Sequence, residues 1–151
     1  MVNVSTQQPP DLRIVQARVT MEHIAEDGMP TRSLGVMLSY DPADPFAVTA
    51  ALHDERSQVG WTFARELLVE GAFEPAGAGD VLVWPSLNEA GHAVVVITLS
   101  SPSGEFTGEI PTKDVFPFVQ DMLATVPSGQ ESELLDFDAA IEQLLAPTGD
   151  R

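Results

Sequence analysis

From Arg13 to Glu22 the chain alternates Val15, Ala17, Val19 and Met21 with Gln16, Arg18, Thr20 and Glu22, the period-two pattern of a strand with one buried face. After a turn at Glu26-Asp27-Gly28-Met29-Pro30, Leu34, Val36, Leu38 and Tyr40 alternate again. Asp41-Pro42-Ala43-Asp44-Pro45 closes this second strand with two prolines and two residues that bond their own backbone. A third strand is predicted at Phe46–Leu52. A fourth carries Val59, Trp61 and Phe63 and runs into a short helix, Ala64–Glu70, which Gly71 is placed to stop in the left-handed conformation. Pro75–Asp80 reads as a turn and Val81–Trp84 as a fifth strand ended by Pro85. Ala93–Leu99 is apolar on both faces, the mark of a central strand covered on two sides, and Ser101-Pro102-Ser103-Gly104 turns it into a seventh candidate strand, Glu105–Ile110.

The period then changes. Val115, Val119, Met122 and Val126 fall at helical spacing, with Asp114 able to cap and Pro117 tolerable in the first turn, until Pro127-Ser128-Gly129 breaks the helix. Phe137, Ala140, Ile141, Leu144 and Leu145 form a second helical stripe, too short to persist unless it packs on something. Strands in hairpin order with helices gathered toward the end predict an α+β fold, a bent, mainly antiparallel sheet of about seven strands with about three helices. The domain is expected over residues 12–146, between a polar arm, 1–11, and a tail, 147–151.

Composition narrows the functional classes. The chain has 151 residues, 44% apolar, and its longest apolar run is far below a membrane span, so membrane insertion is not expected. The first ten residues lack Lys, Arg and an apolar core, which predicts no secretory signal and a cytoplasmic location. Seven basic against 23 acidic residues give a net charge of −16, a field that repels phosphate backbones, so no nucleic-acid partner is expected. Most of it comes from residues 66–151, where Lys113 and Arg151 face 15 acidic residues. There is no cysteine, hence no disulfide and no thiol chemistry.

The search for chemistry returns little. His23, His53 and His92 stand 30 and 39 residues apart, outside any metal-ligand spacing. Ser100-Ser101-Pro102-Ser103-Gly104 sits between two strands, whereas a nucleophile elbow opens a helix. Gly77-Ala78-Gly79 lacks the helix and the Lys-Ser/Thr pair of a phosphate cradle. Acidic pairs such as Asp41/Asp44, Asp54/Glu55 and Glu131/Glu133 are what a strongly acidic chain produces on a solvated face. Trp61, Phe63 and Trp84 could stack bases only beside a basic groove, and Arg13, Arg18, Arg32, Arg56 and Arg65 are scattered, so core or interface packing fits them better. No catalytic residue, no cofactor and no metal site is expected.

An ordered set of motifs carries more. Tyr40-Asp41-Pro42-Ala43-Asp44-Pro45-Phe46-Ala47-Val48, Trp61-Thr62-Phe63-Ala64-Arg65-Glu66-Leu67-Leu68 with Gly71, Gly79-Asp80-Val81, Val83-Trp84-Pro85 and Leu99-Ser100-Ser101-Pro102-Ser103-Gly104 resemble the SsgA-like proteins, the sporulation and cell-division family of actinomycetes. The likeness covers about residues 34–145. It implies a non-enzymatic regulator or adaptor that positions septum formation at division septa. SsgB-like members recruit the tubulin-like GTPase FtsZ, and SsgA-like members help to localise them. It also implies a Whirly-like fold assembled as a trimer, with division-machinery proteins such as FtsZ or another SsgA-like protein as partners. Pro117 departs from the family, whose helix usually runs on without a proline there.

Within those motifs the helix Ala64–Glu70 and the segment Trp84-Pro85-Ser86-Leu87 lie at strand ends, where loops carry function, and are expected to touch partners. Leu67, Leu68, Trp84 and Leu87 would form a buried centre, with Arg65, Glu66 and Glu70 as its polar rim. The competing expectation is that Leu67 and Leu68 pack the helix on its own sheet. A different class of function, a small-ligand-binding or enzymatic domain with an internal cavity, is the alternative to the adaptor.

Overall fold

The computed structural model describes residues 13–53, 58–133 and 143–144. Its strands are β1 (Val15–Ile24), β2 (Pro30–Tyr40), β3 (Ala47–His53), β4 (Gln58–Ala64), β5 (Ala76–Ala78), β6 (Val81–Leu87), β7 (Ala93–Ser101) and β8 (Gly104–Pro111). Its helices are α1 (Arg65–Gly71) and α2 (Thr112–Thr125), with residues 131–133 and 143–144 also helical. The eight strands form one antiparallel sheet in the order β4-β3-β2-β1-β8-β7-β6-β5. The expected α+β class with a bent antiparallel sheet is therefore correct.

The bend has a location. β1 pairs with β2 along its whole length but with β8 only through Glu22, His23 and Ile24. The two four-stranded halves are thus hinged at one end of β1, and they curl so that their inner faces share a core. Alternation sets what enters it: Val19 and Met21 from β1, Leu34, Val36, Leu38 and Tyr40 from β2, Val48, Ala50 and Leu52 from β3 are all buried. α2 packs on β1, β7 and β8, and α1 on β4, β5 and β6. Val115, Phe118, Val119 and Met122 supply the buried side of α2. The all-apolar strand is where the pattern puts it: β7 runs between β6 and β8, with every residue from Val94 to Leu99 buried.

Several local expectations are corrected. β6 does not stop at Pro85 but continues to Leu87, because β5 covers only Val81–Val83 and, among the described residues, the later part of β6 has no second neighbour to receive the missing N–H. The supposed turn at Pro75–Asp80 contains β5, an eighth strand of three residues that sequence alternation is too short to reveal. Gly71 does not adopt a left-handed conformation; it lies inside α1, and the helix is followed by Ala72 at φ −72° and ψ −16°. Its requirement is spatial, since a Cβ there would collide with the side chain of Val83. Asp114 caps nothing: Pro111 holds the N-cap position and no side chain caps α2. Pro117 lies past the first turn, inside α2 and on its exposed side, so the expectation that places it in the first turn is not met. The arm 1–11, the tail 147–151, the Asp54/Glu55 pair, and Phe137, Ala140, Ile141 and Leu145 lie outside the described residues.

Candidate partner-binding surface

α1 begins where β4 ends, and the Arg65 N–H donates to the Phe46 carbonyl at 2.8 Å, fixing the start of the helix to the end of the β2–β3 loop. Seven residues make two turns, so the helix must be held by burial. Leu67 and Leu68 are 7% and 0% exposed. They pack α1 on its own sheet, the second of the two expectations for this pair. Glu66 and Glu70 face solvent.

Arg65 does not join them. It is 1% exposed, and the guanidinium sits 5.2 Å from the centre of the Tyr40 ring. Its Nε–H donates to Oε2 of Glu131 at 3.0 Å, and Nη2 lies 2.8 Å from the same oxygen. One carboxylate oxygen thus faces the edge of the guanidinium, while Nη1 and Nη2 have no well-aligned acceptor. The other oxygen, Oε1, accepts the Gly129 N–H at 2.9 Å, and the Tyr40 hydroxyl donates to the Pro45 carbonyl at 3.0 Å. Burial alone would push the Glu131 carboxyl upward, but its own backbone N–H, Arg65 and the Gly129 N–H outweigh it and hold the pKa below the usual range. Burial likewise raises the Tyr40 hydroxyl, with Arg65 opposing. A rim arginine is thus replaced by a buried ion pair that ties residues 129–131 to the β2–β3 corner. The partners are 66 positions apart, and no sequence spacing joins them.

The second segment points outward. Leu87 is 67% exposed, Leu82 50%, and Trp84 half-buried. Val83 carries the contact with α1, so its neighbour Trp84 projects from the opposite face of the sheet, where it pairs across β7 with Val96. Glu66, Glu70, Trp84 and Leu87 therefore do not form one patch: α1 lies on the inner side of β6, and Trp84 on the outer.

The remaining candidates are dispersed. The His23 ring stacks on Phe106 at 4.7 Å and bonds the Thr31 hydroxyl at 3.1 Å; His53 ends β3, and His92 lies in the β6–β7 hairpin. Among the described residues no group of three His, Asp or Glu could hold a metal ion. No helix among them is long and apolar enough to cross a membrane. The Ser101 hydroxyl is tied to the Ser103 hydroxyl and the Gly104 carbonyl within a hairpin turn. Trp61 and Trp84 lie on opposite faces, so the aromatics make no continuous stacking platform. Sequence reading did not find the cleft beside the β6–β7 hairpin where Glu22, Glu89 and Glu109 meet. Burial raises the Glu109 pKa, and the charges of Glu22 and Glu89 raise it further.

This fold and its motifs have relatives. The family model described as Streptomyces sporulation and cell division protein, SsgA, matches residues 34–131. The chain belongs to the SsgA family. The sporulation-specific cell division protein SsgB of Salinispora tropica is 42% identical over 137 residues, covering 87% of this chain and 93% of that protein. SsgB of Streptomyces coelicolor is 46% identical over 110 residues, with coverage of 72% and 80%. Among solved structures, the SsgA-like sporulation-specific cell division protein of Thermobifida fusca superposes with a TM-score of 0.80 at 34% identity, covering 91% of this chain and all of that one. An SsgB structure connected with longitudinal cell division during sporulation of Streptomyces coelicolor gives 0.75 at 38%, with coverage of 81% and 95%. The family likeness read from the motifs is therefore correct, and its members' shared role is cell division during sporulation.

Proposed function

We propose that this chain is a non-enzymatic adaptor of sporulation septation that binds division proteins, FtsZ or another SsgA-like protein, through the exposed end of β6. The observation that carries the reading is the placement of Trp84 and Leu87, half-buried and exposed apolar side chains on the part of β6 beyond Val83, which among the described residues has a neighbour on one side only. Apolar anchors of this kind supply contact energy, and an open strand edge supplies backbone donors and acceptors. Glu66 and Glu70 contribute charge from the other side of the sheet and set orientation more than affinity. The working form is a cytoplasmic homo-oligomer, a trimer, located at division septa. Co-sedimentation with FtsZ polymers tests this: wild-type chain pellets with polymer, and Leu87→Ala and Glu66→Lys, checked for folding, pellet less. A wild-type chain that stays in the supernatant under polymerising conditions removes FtsZ as the direct partner and makes the chain an accessory member acting through another protein.

A further inference from the structure

The other side of the β6–β7 hairpin carries a groove of about 460 Å³ between the hairpin and the start of α2. Val94, Ala93 and Pro111 give it an apolar floor, and Asn88, His92 and Lys113 its polar lining. The lining contains no carboxylate and includes Lys113. Lys113 is the only lysine in the protein and the only basic residue between positions 66 and 150. The hairpin is held rigid: the Asn88 side-chain oxygen accepts the N–H groups of Ala90 and His92, each at 2.9 Å, and Gly91 turns the chain at φ +82°. An apolar floor with a lone ammonium at its edge selects an occupant that is both apolar and acidic.

The chain supplies such a segment. Residues 133–145 carry Glu133, Asp136, Asp138 and Glu142 and no basic residue, interleaved with the stripe Phe137, Ile141, Leu144 and Leu145. Leu144 is 79% exposed, so its side chain is not covered by the described residues. We infer that the groove at Lys113 receives the acidic C-terminal segment, residues 133–145, of a second copy, a head-to-tail contact that places a different surface on each partner. Such a contact propagates or closes into a ring, and ring closure is what a trimer requires. The inference therefore rests on the homo-oligomer proposed above and adds its interface.

The absence of native cysteine makes the test direct. Ala93→Cys and Leu144→Cys are made as two separate single variants carrying different affinity tags, mixed, and oxidised. The inference predicts a disulfide-linked species containing both tags, with a yield at least fivefold lower when Lys113→Glu is added to the Ala93→Cys chain and restored by Lys113→Arg. Circular dichroism establishes that each variant is folded. A double variant that links only within one chain, or a mixture that yields no more dual-tag product than a Leu82→Cys control, overturns the inference. Light scattering on the cysteine-free protein separates the two levels: an oligomer without the cross-link leaves the assembly standing and removes this interface, whereas a monomer at every concentration removes both.

Discussion

α1 and the far end of β6 belong to the same run of family motifs, and the chain uses them in opposite ways. α1 turns Arg65, Leu67 and Leu68 into the core and leaves only Glu66 and Glu70 as charged groups on its outer side, whereas β6 leaves Leu82 and Leu87 exposed and Trp84 half-buried. The difference follows from what lies alongside each. Gly71 lets α1 settle against Val83 without an intervening Cβ, while β5 ends before it can cover Trp84 and the residues beyond. Burial thus separates the two segments: α1 packs the domain, and the end of β6 lies at the surface.

The comparison breaks most visibly at Arg65. Arg65→Ala leaves Glu131 as an uncompensated buried carboxylate and is expected to cost about 3–5 kcal/mol, read as a lower denaturation midpoint. A double-mutant cycle with Glu131→Ala assigns the part that belongs to the pair, and single losses that simply add would deny the coupling. Leu68→Ala is next, at about 2–5 kcal/mol for a fully buried leucine. Gly71→Ala, whose methyl group must displace Val83, is expected to cost about 1–3 kcal/mol. At the other segment Leu87→Ala should move stability by no more than about 0.5 kcal/mol, since the side chain is exposed, while reducing partner binding.

Acid titration separates two carboxyl groups whose pKa values folding shifts in opposite directions. The Glu131 pKa is lowered by folding, so its contribution is present above the ordinary carboxylate range and is lost as pH falls through the lowered value. The Glu109 pKa is raised, so its contribution is present below the ordinary value and is lost as pH rises through the raised one. Glu131→Gln should therefore flatten the acid limb of a melting-temperature profile. Glu109→Gln should raise the melting temperature at neutral pH, with the gain vanishing in acid.

Much of the fold was legible because alternation is local. The hairpin of β1 and β2, the doubly buried β7 and the helical stripe of α2 each announce themselves within a dozen residues. β5 was not legible, since three residues carry no period, and neither was the continuation of β6 through Pro85, which depends on a neighbour being absent. The candidate site shows the same boundary. Trp84 and Leu87 could be picked from their place at a strand end, but the inward turn of Arg65 depends on Glu131, 66 residues away, and the meeting of His92 with Lys113 depends on how the β6–β7 hairpin lies against α2. Charges that act across the fold leave no trace in spacing.

We propose that the end of β6 meets the partner while α1 holds the domain together. Amide hydrogen exchange on the chain alone and bound to FtsZ polymers measures this position by position. Slower exchange on binding at residues 82–88, with the amides of α1 protected equally in both states, is the predicted result. Protection gained across α1 with none at residues 82–88 would contradict it.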